Sequence, residues 1–203
     1  MIKNFNNSHS QAHQESFVLN VLDEKRKGFY LELGGGWPIK NSNTFLLEAE
    51  YDWSGISFEI DQKRAKKYNE IRKNKTLCEN AITFDYLNYF KMNNVPKQID
   101  YLQMDLHPAE DTLKALKSLP TDDYRFSVIT YEHNGYDNKL NKDQSQEILK
   151  GLGYKLVVEN LTFLTIAYED WWIDPNVVDY DKYKHFISKD INHNKLFGEP
   201  WKF

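Results

Sequence analysis

Three consecutive glycines, Gly34, Gly35 and Gly36, follow directly on the apolar run from Phe29 to Leu33. Glycine lets a backbone adopt positive φ and approach a ligand closely, because no Cβ stands in the way. Glu59 ends a second apolar run about 25 residues later, the interval at which a carboxylate accepts ribose hydroxyls in nucleotide-binding α/β proteins. A dinucleotide fingerprint also needs a third spaced glycine, to seat pyrophosphate on a helix N-terminus. Ile39 occupies that position, Pro38 precedes it, and Lys40 is the only basic residue in the loop. A nucleoside cofactor without phosphates, such as S-adenosylmethionine, fits this loop better than NAD or ATP. A tight turn with no ligand remains the alternative.

A sulfonium methyl is already electrophilic, so an acceptor hydroxyl has only to be aligned with it and relieved of its proton. Asp105 with His107, and Glu132 with His133, close two apolar runs and are the groups suited to that work. Three readings stay open. Asp105, Glu132 and His133 could hold Mg²⁺ or Mn²⁺ and lower the pKa of the hydroxyl. His133 could act alone as general base, since a ring nitrogen bound to metal cannot also collect a proton. Otherwise Asp105 caps a helix and the other two are polar loop residues. Further on, "YEDWWIDP" sets Trp171 and Trp172 among three carboxylates, a pattern that either stacks on a sugar or belongs to the core.

These residues need a scaffold that brings strand ends together. Apolar residues at helical spacing predict a helix from Ser10 to Lys27 ahead of the first strand, Phe29 to Leu33. Helices are expected over Ser42 to Ala49, from Asp61 to about Lys73, Phe84 to Met92, Pro108 to Lys117 and Lys142 to Gly151. Strands are expected over Gly55 to Ile60, Thr76 to Ala81, the run ending near Asp105, and Arg125 to His133. The last two extended runs, in "YKLVVENLTFLTIAYED", are too close for a crossover helix and predict an antiparallel hairpin. The pattern is a three-layer α/β fold with a mostly parallel sheet, filling a single domain over residues 1–203.

The blocks "SQAHQESFVL", "YLELGGG", "SNTFLLE", "WSGISFEI" and "IDYLQMDLHPAE" resemble, in order and spacing, those of FkbM-type methyltransferases. The resemblance runs from about Ser10 to Pro175. It implies a Rossmann-like class I methyltransferase fold, with a seven-stranded sheet and a C-terminal antiparallel hairpin. By the same resemblance Glu32, Gly34 and Gly36 line the methionine part of S-adenosylmethionine, Glu59 takes the ribose and Asn80 and Ala81 flank the adenine. Gln11 and Ser42 would reach the cofactor carboxylate. The acidic ends of the fourth and fifth strands look like those of metal-dependent macrolide-sugar O-methyltransferases, which implies a glycan or glycosylated small molecule as acceptor. His107 and Pro108 depart from the family pattern, where an acidic residue and a glycine stand. A non-catalytic nucleotide-binding module and an NAD-dependent sugar enzyme are the rival readings.

Composition narrows the partners. Twenty-six basic and thirty acidic residues leave a formal charge of -4, which argues against nucleic acid as partner. The basic run Lys63 to Lys67 reads as a solvated helix face. The lone Cys78 excludes an internal disulfide and a thiolate cluster. No apolar run is long enough to span a bilayer and the N-terminus lacks a signal-peptide pattern, so a cytoplasmic location is expected. Self-association stays open, and the polar tail from Asp179 to Phe203 has no legible pattern.

Overall fold

The computed structural model of the chain describes residues 2–5, 7–135 and 139–198. Helix α1 (Gln14–Val21) is shorter than its apolar pattern. His13 before it, and Asp23, Glu24 and Lys27 after it, adopt positive φ, which an α-helix cannot continue through. Strand β1 (Phe29–Leu33), helix α2 (Phe45–Tyr51), β2 (Ser54–Phe58), α3 (Gln62–Ile71) and the two-residue β3 (Thr76–Leu77) form the first half of the sheet. β3 stops early because Asn80 turns the chain, its side-chain oxygen accepting from the Ile82 amide. Asp61 caps α3, accepting from the Lys63 and Arg64 amides at 2.9 Å each.

The second half follows as α4 (Tyr86–Met92), β4 (Gln98–Met104), α5 (Ala109–Ser118), β5 (Arg125–Glu132), α6 (Lys139–Gly151) and the hairpin β6 (Lys155–Phe163) and β7 (Ile166–Ile173). β7 inserts between β5 and β6, antiparallel to both. The tail supplies α7 (Tyr180–Tyr183), a 3-10 turn, the short β8 (Ser188–Lys189) and α8 (His193–Leu196). Residues 199–203 of that tail lie outside the described residues. Among the described residues the sheet order is β3-β2-β1-β4-β5-β7-β6-β8, so the expected seven strands become eight, with β8 running parallel to β6.

The sheet is buried on both faces. Phe17, Tyr30, Tyr101, Val128, Trp171 and Phe186 pack on one side, and Leu31, Phe90, Leu102, Leu116, Ile129 and Trp172 on the other. Neighbouring strand residues point to opposite faces, so Trp171 and Trp172 enter different layers. Neither ring is exposed, which places both in the core and removes them from sugar stacking. The parallel order reverses between β1 and β4, so the loops after these strands diverge and leave a crevice at their carboxyl ends. Among the described residues no helix is long and apolar enough to cross a membrane.

Candidate functional site

The crevice is a cavity of about 480 Å³. Gly34 and Gly36 from the loop after β1, Glu59 and Ile60 after β2, Asn80 and Ala81 after β3, and Asp105 and His107 after β4 all contribute to its wall. The glycine loop is tied to β2 through the Gly34 and Gly35 amides, which donate to the Phe58 carbonyl at 3.0 and 2.9 Å. Gly34 has φ 91°, and a Cβ there would lie 1.9 Å from the Asp105 carbonyl oxygen. Here two loop backbones pass within contact distance, so glycine is required. At Gly36, φ 57°, an added Cβ would meet nothing within 4 Å.

Glu59 holds the loop from the other side. Its oxygens accept from the Gly36 amide at 3.0 Å and the Asp61 amide at 2.8 Å, and each retains a second lone pair. Ile60 is 69% exposed at the rim, an apolar side chain with room to cover a flat ligand.

Several residues expected at the cofactor lie beneath the site. Glu32 is buried and accepts from Thr44 at 2.9 Å, Ser57 at 2.5 Å and Tyr68 at 2.8 Å. Burial pushes its carboxyl above the usual range, against the pull of the Arg72 charge. Gly35 faces this carboxylate, since its added Cβ would sit 3.3 Å from Glu32 Oε2. Ser42 is also buried; its hydroxyl accepts from the Thr44 and Phe45 amides ahead of α2 and from Arg72 at 3.2 Å. Gln11 is exposed on the N-terminal segment. Arg72 ties this support together, donating also to Glu48 at 2.9 Å and to the Pro38 carbonyl at 3.0 Å. Its position at the end of a highly charged helix hid this role in the sequence.

Asp105 belongs both to the cavity and to a second cluster. Its carboxyl stands beside that of Glu132 at the end of β5, and the two interact electrostatically. Burial raises both groups, and the Asp105 charge lifts Glu132 further. Glu169 stands opposite Glu132 in the β5–β7 ladder. Burial pushes it up to about 8, although the Gln14 hydrogen bond opposes the shift. Gln14 donates to Glu169 at 2.9 Å and so fastens α1 to the cluster. Glu169 lay unrecognised beside the tryptophans; strand pairing is the signal that would have exposed it.

His133 is not part of this group. It follows Glu132 directly and turns to the other side, where its Nδ1 accepts from the Gly135 amide at 2.9 Å and its Nε2 lies 3.4 Å from Asp170 Oδ1. Burial pushes Asp170 up, but the nearby His133 and the Asn160 and Gln146 donors outweigh it and hold that carboxyl below its ordinary range. Among the described residues no group of three or more His, Cys, Asp or Glu is arranged to hold a metal ion. The Mg²⁺ or Mn²⁺ site expected from Asp105, Glu132 and His133 is therefore not assembled.

No protein-family model matches the chain, and no curated protein matches it in sequence. Solved structures do. An rRNA methylase from Streptococcus thermophilus superposes with a TM-score of 0.53 at 13% identity, covering 86% of this chain and 98% of that one. The human methyltransferase 10 domain containing protein gives 0.54 at 10% identity over 79% of each chain. Aeropyrum pernix fibrillarin, solved with natively bound S-adenosyl-L-methionine, gives 0.51 at 12% identity over 73% of this chain and 67% of that one.

These likenesses correct one expectation. An rRNA methylase shares the fold, so net charge does not set nucleic acid aside as a partner. A charge of -4 is a sum over the whole chain, whereas Lys63, Arg64, Lys66 and Lys67 are exposed together on α3 and set the local field. At these identities the likeness concerns architecture, and the chain has the fold of the class I S-adenosylmethionine-dependent methyltransferases.

Proposed function

We propose that this chain is an S-adenosylmethionine-dependent methyltransferase that methylates a sugar hydroxyl, with the Asp105–Glu132 pair accepting the proton. The observation that carries the reading is Asp105 itself, which lines the nucleoside-sized cavity and stands beside a second half-buried carboxyl, Glu132. The cavity wall holds Glu59, Asp61, Glu79, Asp105 and Asp111 against Arg64 and His107. That balance suits a nucleoside bearing a positive sulfonium and disfavours pyrophosphate. Glu59 has free lone pairs for the ribose hydroxyls, and Phe58, Ile60, Ala81 and Leu106 offer apolar walls for the adenine.

When bound, S-adenosylmethionine supplies a methyl group activated by its positive sulfur. The acceptor oxygen forms the new bond to carbon, the carbon–sulfur bond breaks, and the acceptor proton passes to Asp105. Burial holds the Asp105 carboxyl above its ordinary range and so nearer neutrality, where a general base works best. Glu132 keeps its proton beside the Asp105 carboxylate. The acceptor class rests on the resemblance to FkbM-type enzymes together with this hydroxyl-directed base.

Calorimetric titration with S-adenosylmethionine, S-adenosylhomocysteine and NAD tests the cofactor. Saturable binding of the sulfur nucleosides and not NAD is expected, weakened about tenfold or more in Glu59→Ala by loss of a charged hydrogen-bond acceptor. Transfer of a radiolabelled methyl group to a panel of short oligosaccharides and oligoribonucleotides tests the chemistry. Asp105→Asn and Glu132→Gln should retain cofactor binding and lose about a hundredfold or more in transfer. Failure of both sulfur nucleosides to bind overturns the reading, and NAD binding would favour the rival dehydrogenase.

A further inference from the structure

Beside the cofactor cavity an indole stands in solvent. Trp37 follows the glycine loop and is 47% exposed. The Arg64 guanidinium lies 5.6 Å and the Lys67 ammonium 5.2 Å from its ring centroid. Lys63 and Lys66 are exposed on the same helix, and Lys40 is exposed on the loop that carries Trp37. Arg64 also lines the cavity, so this basic ridge and the cofactor crevice share a wall.

A solvated helix face ordinarily balances its cations with acids three or four residues away. α3 does otherwise. Lys63 and Lys67 stand four apart with like charge, an arrangement that costs a helix stability unless an anion relieves it. Among the described residues no salt bridge joins Lys63, Arg64, Lys66 or Lys67 to a carboxylate. The neighbouring Asp61 is committed to capping the helix.

We propose that this ridge binds single-stranded RNA and presents it to the crevice. The cations match a phosphodiester backbone, and an exposed indole backed by cations offers a stacking face for an unpaired base. RNA is favoured over an anionic bilayer because Arg64 belongs both to the ridge and to the cavity wall, so a strand held on the ridge reaches the crevice, which a flat surface cannot enter. RNA is favoured over DNA because it carries a hydroxyl on every sugar; this choice rests on the O-methyl transfer reading above. The acceptor class then becomes a ribose hydroxyl within an RNA strand.

The test is fluorescence anisotropy of the full chain with a labelled, mixed-sequence single-stranded RNA, its DNA counterpart and vesicles containing phosphatidylserine. RNA should bind in preference to both. Lys63→Glu with Lys67→Glu should weaken RNA binding about tenfold or more and reduce the log–log salt slope by about 1.4, two phosphate contacts at about 0.7 each. Trp37→Ala should weaken it about tenfold at unchanged salt slope. S-adenosylmethionine binding and the melting temperature, measured on the same preparations, should be unchanged in the lysine variant. Absence of RNA binding, equal binding of DNA or vesicles, or an unaltered salt slope in the lysine variant would each overturn the proposal. RNA binding without cofactor binding would leave the ridge intact and defeat the methyltransferase reading; cofactor binding without RNA binding would do the reverse.

Discussion

Replacing Glu169 by glutamine should make the protein more stable in mild alkali while leaving it almost unchanged in mild acid. Glu169 is buried at 3% exposure, opposite Glu132 in the ladder and bonded to Gln14. Burial raises its pKa from the ordinary 4.5 to about 8. Its folded value lies above its unfolded value, so its contribution is fully present below about pH 4.5 and is lost as pH rises through about 8. Each tenfold change in proton affinity corresponds to about 1.4 kcal/mol, so the loss approaches about 5 kcal/mol at high pH, with about 3 kcal/mol falling between pH 5 and 8. A glutamine cannot ionise and retains a carbonyl oxygen to accept from Gln14. At about 2 to 4 °C per kcal/mol for a chain of this size, the variant should melt roughly 6 to 12 °C above wild type at pH 8 and within about 2 °C of it at pH 5. Scanning calorimetry across that interval reads the difference, with Glu50→Gln on an exposed carboxylate as control. Asp105, Glu132 and Glu15 shift in the same direction, so wild type should lose stability throughout the interval. Parallel curves for variant and wild type, or a wild-type melting temperature that climbs from pH 5 to 8, would refute the buried-acid argument.

Gly34→Ala should cost about 1 to 3 kcal/mol from its positive φ alone, with more from the clash at the Asp105 carbonyl, and should weaken S-adenosylmethionine binding in calorimetry. Trp171 is fully buried and stacks on Phe17 with ring centroids 4.6 Å apart; Trp171→Ala should lower stability by about 3 to 5 kcal/mol in urea unfolding. Trp37→Ala, at an exposed position, should change stability by no more than about 0.5 kcal/mol in the same measurement.

What could be read in the linear chain is what depends on near neighbours. Apolar periodicity marked the strands and crossover helices, because a residue's burial in such elements recurs with the backbone period. The glycine loop and Glu59 were legible for a related reason. A strand, a turn and the next strand form one local unit, so their separation in sequence nearly determines their separation in space. Gly34, Gly36, Glu59, Asn80, Ala81 and Asp105 consequently meet in one cavity. The family resemblance that also suggested Glu32 and Ser42 says nothing of side-chain direction. Their carboxylate and hydroxyl point inward to the Arg72 network.

Only the folded chain could bring Glu169 to Glu132. Their juxtaposition depends on β7 inserting between β5 and β6, an antiparallel pairing whose register no local pattern specifies. The same geometry separates Glu132 from His133, because successive side chains leave a strand on opposite sides. It also gives the tail its place, where β8 pairs with β6 and Phe186 packs against Phe17. Local sequence therefore determined the elements and the nucleoside-sized crevice. Long-range strand pairing decided which acids stand together, since burial and mutual repulsion act only between groups that the tertiary fold has brought into contact.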